Sequence, residues 1–309
     1  MKNSYRFLKL FLALAAASLA ALPVCAQEAT VPVQMTVTAS GVRGTAPPPV
    51  ARQDVIAYQE RERIDIKDWV PAQGERAGLE LIFVIDDNSD TSLGQQLGDM
   101  RDFINSLPQS ASVGVAYASN GVISLSQNLT TDKTLAAKAL RLPRGFPGAM
   151  SSPYLSVMDL ISRWPESKNR REVLLISDGV DRFRGGDLLD PDVDSLVEKA
   201  ERAGVVIHTL YATGVGRANR NLFRISLGQG NLAKLADQTG GEAYFQGYQT
   251  PIALAPYLEQ LSRVLNNQYI LTVLAKPGKK AGLVRFRVTT ELAGVELSAP
   301  EHSWVPTAQ

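Results

Sequence analysis

Cysteine is almost absent from this 309-residue chain, which carries a single one, Cys25. One thiol closes no internal disulfide, and it supplies no thiolate metal cage. Histidine is nearly as scarce, with only His208 and His302. That excludes His-rich zinc sites and leaves little material for a histidine-based catalytic triad. Neither charge sign is in excess: 32 basic against 31 acidic residues give a net charge of +1. A nucleic-acid partner would call for a basic surplus, so none is expected.

Long apolar runs are missing too, with one exception at the start. Lys2, Arg6 and Lys9 lead into "LFLALAAASLAALPV", which is short for a membrane span and ends in Val24-Cys25-Ala26. This is the pattern of an export signal cut after Ala26. Residues 1–26 are read as that signal peptide. Two alternatives are an uncleaved anchor and a lipoprotein signal at Leu22-Pro23-Val24-Cys25. Val24 stands where the second pattern wants a small residue. Cutting after Ala26 removes three basic residues and no acidic one, taking the net charge from +1 to −2. No later run reaches the ~18 apolar residues of a transmembrane helix. The mature chain is therefore expected to be exported, periplasmic or extracellular, without a transmembrane segment.

What is present is ordinary globular material, 45% apolar and 20% charged. Residues 27–77 read as a β segment: "VPVQMTVTAS" alternates apolar and polar, "GVRGTAPPPV" is a proline-rich loop, and "DVIAYQERERIDIKDWVPA" offers two short strands around "QERER". Trp69 reads as a core aromatic. Residues 78–265 alternate strand and helix. "LELIFVI" and "REVLLISDG" are nearly continuous apolar runs, as buried parallel strands should be. "SLGQQLGDMRDFINSL" has helical spacing, and "ASNGVIS" is a hairpin around Asn120-Gly121. "NLAKLADQTGG" is a helix with a glycine stop, and "TPIALAPYLEQLSRVLNN" is a final helix. The expected fold is α/β, a doubly wound and mostly parallel sheet with helices on both faces. Residues 266–309 return to strands and are expected to pair with the N-terminal ones in a small β domain.

In an open α/β sheet, ligands bind outside the carboxyl ends of the strands. Two expected strands end there in acid, one at Asp86-Asp87 and one at Ser177-Asp178. Between them lies "PGAMSSPYL", a small-residue loop ahead of a helix. Three such loops can bring carboxylate and hydroxyl oxygens together, a donor set suited to a hard cation such as Mg²⁺.

The order of these features resembles the von Willebrand factor A domain. The matching residues are "FVID" before a polar loop, "LLISDG", and "AERAGVVIHTLYATG" followed by "LAKLADQTGGEAYF". The resemblance spans about residues 79–265, and with "NNQYILTV" after it the chain is similar to a bacterial exported group of that family with β segments on either side. It implies a metal-ion-dependent adhesion site that holds Mg²⁺ or Mn²⁺, completed by a carboxylate from a protein or peptide partner. Carried over, the third-loop aspartate is Asp178. The second-loop threonine falls in "AMSSPY", where Ser152 or Ser151 offers a hydroxyl instead. The first loop, Asp-x-Ser-x-Ser in the family, has two registers here. Asp86 leads if the strand end sets it, giving Asn88 and Asp90 at the hydroxyl positions. Asp87 leads if the following helix sets it, giving Ser89 and Thr91, and this register is the one slightly preferred. The expected metal set is Asp86, Asp87, Ser89, Thr91, Ser152 and Asp178.

Other readings stand beside this one. Asp178-Gly179 is also a plain turn sequence, and Asp86 or Asp87 could cap the helix beginning near Ser92. His208 reads as a packed strand residue. "GVGRAN" lacks the third glycine of a dinucleotide site. "DRFRGGDLLDPDVD" would border the site. A Mg²⁺-dependent phosphohydrolase of the haloacid-dehalogenase kind ends its first strand in Asp-x-Asp, but two residues after Asp86 stands Asn88. A metal-free A domain serving as an assembly scaffold is the remaining alternative. No catalytic residue is assigned, and a non-enzymatic binding module is the expected function.

Overall fold

The structure, a computed structural model, describes residues 29–42, 45–145, 150–184, 190–216, 221–245 and 247–308. The expected leader, with Cys25, lies outside the described residues, as do parts of "PGAM", "DRFRGGD" and "GVGRAN". Among the described residues, no helix is long and apolar enough to cross a membrane.

A six-stranded sheet occupies the middle of the chain. Its strands are β5 (Leu79–Asp86), β6 (Ala111–Ser119), β7 (Val122–Thr130), β8 (Arg170–Ser177), β9 (Val205–Tyr211) and β10 (Ala243–Tyr244). They lie in the order β10-β9-β8-β5-β6-β7. All pairings are parallel except β6 with β7, the hairpin whose turn places Asn120 and Gly121 at φ 52° and 73°. The helices are α1 (Leu97–Ser106), α2 (Lys133–Lys138), α3 (Pro153–Arg163), α4 (Pro191–Ala203), α5 (Leu222–Thr239) and α6 (Ala255–Asn266). The alternating pleat of β5 divides its side chains between two cores. Leu81, Phe83 and Ile85 pack with Met100 and Ile104 of α1 and with Leu258 and Leu261 of α6. Ile82 and Val84 pack with Val157 of α3, Leu196 of α4 and Leu232 of α5. This is the doubly wound fold expected, with helices on both faces.

The connection leaving β5 runs toward β6, and the one leaving β8 runs toward β9 on the other side. The strand order therefore reverses between β5 and β8. The crevice at their carboxyl ends is the topological switch point, where such sheets bind ligands.

The terminal segments build two further four-stranded sheets. The first has the order β13-β1-β11-β4, from β1 (Val31–Gly41), β4 (Ile66–Pro71), β11 (Gln268–Ala275) and β13 (Val295–Ser298). The second has the order β14-β12-β2-β3, from β2 (Val55–Gln59), β3 (Glu62–Ile64), β12 (Gly282–Thr290) and β14 (His302–Val305). They share one core, in which Val33, Met35 and Val37 of β1 pack with Val273 and Phe286. Trp69 is part of it, stacked on Tyr269 with ring centroids 4.3 Å apart, its indole N–H donating to the Val50 carbonyl at 2.8 Å.

Three local expectations need correction. Residues 55–71 form three strands, not two, because the chain reverses at Glu60-Arg61, with Glu60 at φ 54°, and breaks again at Asp65. The helix of "NLAKLADQTGG" begins at Leu222, where the Asn221 side chain accepts the Phe223 N–H. The last helix starts at Ala255, so "TPIAL" stays outside it.

Candidate functional site

Two buried carboxylates meet at the switch point. Asp86 ends β5 and is 1% exposed; Asp178 follows β8 and is 3% exposed. One oxygen of Asp86 accepts the Ser177 hydroxyl at 2.8 Å, and the other accepts the Asn88 N–H at 2.9 Å. Burial, and then the charge of Asp178, push the Asp86 carboxyl up to about 6; Arg182 and the two hydrogen bonds pull the other way. A carboxylate that resists ionisation in this way lacks sufficient positive charge nearby.

The cation that meets the pair, among the described residues, is Arg182. Its guanidinium turns back four residues and forks onto Asp178, with Nη2 at 2.5 Å from Oδ2 and Nη1 at 3.3 Å from Oδ1. Its side chain is only 17% exposed, so it covers the pair from solvent. The sequence reading placed Arg182 on a bordering loop and missed this inward role. The spacing of Asp178 and Arg182 was the available signal.

Asp178 is positioned by a close backbone approach. Gly179 takes φ +69°, and its carbonyl accepts the hydroxyl of the fully buried Tyr154 at 2.5 Å. A Cβ on Gly228 of α5 would stand 2.0 Å from the Asp178 carbonyl oxygen. Helix and loop meet there only because both positions are glycine.

Hydroxyl oxygens are available around the pair. Ser89 Oγ and Ser151 Oγ are buried and have no hydrogen-bond partner among the described residues. Ser89 lies in the β5 loop, its N–H on the Asp86 carbonyl, and Ser151 accepts the Arg182 N–H through its own carbonyl at 2.7 Å. Buried hydroxyls are normally satisfied, so two orphans beside two carboxylates call for an explanation. An oxygen donor set of this kind suits Mg²⁺ or Mn²⁺, with Asp86, Asp178, Ser89 and Ser151 as its candidates. Arg182 competes for the same carboxylates.

The other expected ligands have partners of their own or face solvent. Asp87 turns away from Asp178 and receives a bidentate pair from Arg141, at 2.7 and 2.9 Å, plus the Arg144 N–H at 3.1 Å. Of the two possible leading aspartates, Asp86 lies with Asp178, while Asp87 pairs with a guanidinium 54 residues downstream; Ser89, the hydroxyl of the Asp87 register, is buried in the same loop. Thr91 is exposed at the start of a 3₁₀ turn (Thr91–Gln96) capped by Asp90, not by Asp86 or Asp87. Ser152 spends its hydroxyl capping α3 at the Leu155 N–H, 3.2 Å away. We predict that Arg141→Ala costs about 2 kcal/mol, the scale of a charge-assisted hydrogen bond lost at a partly buried site. Mg²⁺ affinity should be unchanged, as titration calorimetry on the same variant can check.

Beside the site runs an open groove of about 680 Å³, lined by Asp90, Ser92, Thr213, Leu222 and Tyr248 among others. Leu222 and Tyr248 are 60% and 56% exposed, and neighbouring Phe223 is 57% exposed. The loop bearing Asp86 is tied to this side by the Asp90 N–H on the Thr213 carbonyl and by a bridge between Ser89 and Gly214.

No family model and no curated protein matches the chain. Solved structures that match include an aerotolerance-related membrane protein from Bacteroides fragilis, at 11% identity over 61% of this chain and 99% of that one, with a TM-score of 0.43. Others are the VWA domain of SpRpn10, at 15% identity over 60% and 91%, TM-score 0.35, and the ArnB paralog VWA2 from Sulfolobus acidocaldarius, at 11% over 89% and 76%, TM-score 0.39.

Proposed function

We infer that this chain is a von Willebrand factor A protein and propose that it is an exported, non-enzymatic binding module whose working surface is the carboxyl edge of the central sheet. The motifs quoted from the sequence lie in a doubly wound, mostly parallel sheet, and two of them end at its carboxyl edge, which supports this reading. The partner is another protein or a peptide that supplies a carboxylate, with the groove of Leu222 and Tyr248 as its apolar contact. The bound cation, Mg²⁺ or Mn²⁺, would be held by Asp86 and Asp178 with the Ser89 and Ser151 hydroxyls, and would supply the positive charge a partner carboxylate seeks. Arg182 must release Asp178 for this to happen. It therefore acts as an internal counter-ion that offsets part of the pair's charge when no metal is bound.

One observation carries this reading: two buried carboxylates share a single guanidinium, and the loops hydrogen-bonded to them carry two buried hydroxyls without a hydrogen-bond partner, among the described residues. The test is binding of a panel of acidic and neutral peptides with Mg²⁺ and with EDTA, by wild type and by Asp178→Ala. Acidic peptides should be retained only with Mg²⁺ and only by wild type. Retention that ignores both changes would remove the cation from the mechanism. The Asp178–Arg182 pair also favours a second reading, a metal-free scaffold in which the guanidinium has permanently replaced the ion. In that case neither wild type nor Arg182→Ala takes up Mg²⁺.

A further inference from the structure

We propose that Asp181, Asp190 and Asp192 form a second cation site, separate from the Asp86–Asp178 pair, and that it takes Ca²⁺. One carboxylate oxygen from each of the three lies within 4.8 Å of the other two. All three residues are buried, at 1%, 8% and 7% exposure. Asp181 is the telling member. Its Oδ1 accepts the N–H groups of Phe183 and Arg184 at 2.8 and 3.1 Å, while its Oδ2 is buried with no hydrogen-bond partner among the described residues. A buried carboxylate oxygen left bare is costly, and a cation is the partner that removes the cost.

The neighbouring charges, Arg182 and Arg184, both act on Asp181 at a distance, but neither donates to its Oδ2. Arg184 reaches Asp192 at 3.2 and 3.3 Å, but its side chain is 49% exposed and its ion pair among the described residues is with that one carboxylate. Asp190 caps α4 by accepting the Asp192 N–H at 3.0 Å. The start of that helix favours carboxylates by its dipole, yet a dipole end is worth only about half a charge. The Arg182 guanidinium also faces Asp181 but is forked onto Asp178, so three carboxylates share the exposed Arg184 and part of one charge already engaged, which leaves an acidic, oxygen-only cluster.

Oxygen ligands select hard cations, and the carboxylate number selects among them. Mg²⁺ keeps several waters and takes one or two carboxylates, whereas Ca²⁺ takes six to eight oxygens at about 2.3–2.6 Å. Oxygens bound to one Ca²⁺ stand no more than about 5 Å apart, and one oxygen from each of the three carboxylates meets that limit. Occupancy would clamp the turn at Asp181 to the first turn of α4. Arg182 is the next residue, so the clamp would hold the backbone of the loop whose guanidinium covers Asp178.

The test is calorimetric titration of the chelator-treated full chain with Ca²⁺, together with melting curves with and without the ion. Wild type should bind Ca²⁺ and melt higher with it, and Asp178→Ala should do the same. Asp181→Asn, which keeps shape and both backbone hydrogen bonds, and Asp192→Asn, which gives up one of the two bonds from Arg184, should each bind at least tenfold more weakly. Without Ca²⁺ Asp181→Asn should melt no lower than wild type, because repulsion is relieved and no ion pair is lost; if Asp181→Asn fails to fold, Asp192→Asn decides alone through its Ca²⁺ affinity. No Ca²⁺ response in wild type would overturn the proposal. So would undiminished binding in the Asn variants, or loss of binding in Asp178→Ala only.

Discussion

Arg182→Ala should destabilise the protein in EDTA by about 3 kcal/mol, and Mg²⁺ should restore most of the loss. Removing one partner from a buried ion pair costs roughly 3–5 kcal/mol, because the remaining charge stays buried without compensation. The lower end applies here for two reasons: the Arg182 side chain keeps 17% exposure, and Asp86, whose carboxyl is already pushed up to about 6, can take a proton and relieve part of the charge. On the scale of a domain of this size the loss is roughly 6–12 °C in melting temperature. The same deletion removes the competitor for the carboxylates. Every 1.4 kcal/mol is a factor of ten, so Mg²⁺ should bind about 100-fold tighter to the variant than to wild type. Thermal melts at several Mg²⁺ concentrations read both effects. A variant that is destabilised but does not respond to Mg²⁺ would favour the metal-free scaffold.

Gly228→Ala should cost about 3 kcal/mol and weaken any ligand held by Asp178. The added Cβ would lie 2.0 Å from the Asp178 carbonyl oxygen and 3.2 Å from Val180 Cγ2. Overpacking ordinarily costs about 1–3 kcal/mol. The upper end is expected because the obstacle is backbone on both sides and cannot rotate away. Relief requires α5 or the Asp178 loop to move, and that displaces the carboxylate. Gly230 provides the control. It lies two residues further along the same helix and has nothing within 4 Å of its Cβ position among the described residues. Gly230→Ala should therefore stabilise, by up to about 1 kcal/mol, since alanine is the better helix former. Denaturant melts of the two variants should move in opposite directions; movement in the same direction would mean that helix propensity, not the close approach, governs this stretch.

The sheet was legible in the sequence because its two central strands are buried on both faces. β5 and β8 carry the apolar runs Leu81–Ile85 and Val173–Ile176, each followed within two residues by an acid, and those ends mark the crevice. Helix α1 was legible from its spacing, but the first half of α5 was not: Gly228 and Gly230 lower its helix propensity, and Gly228 is required by a loop 50 residues away. The register of the first loop was hidden for the same physical reason. Asp86 and Asp87 are both buried acids after an apolar strand, and what separates them is Arg141, which reaches back from beyond the hairpin. Arg182 reads in the sequence as part of a loop bordering the site, and the fold turns it inward onto Asp178. Where local pattern decides, the sequence is readable; where two long-range partners compete for one carboxylate, only the fold chooses.

The central claim is that Asp86 and Asp178 hold a divalent cation in exchange for Arg182. Titration calorimetry of the metal-stripped protein with Mg²⁺ tests it most directly, comparing wild type, Asp178→Ala and Arg182→Ala. The account predicts measurable binding in wild type, none in Asp178→Ala, and tighter binding in Arg182→Ala. Absence of Mg²⁺ binding from all three would contradict it.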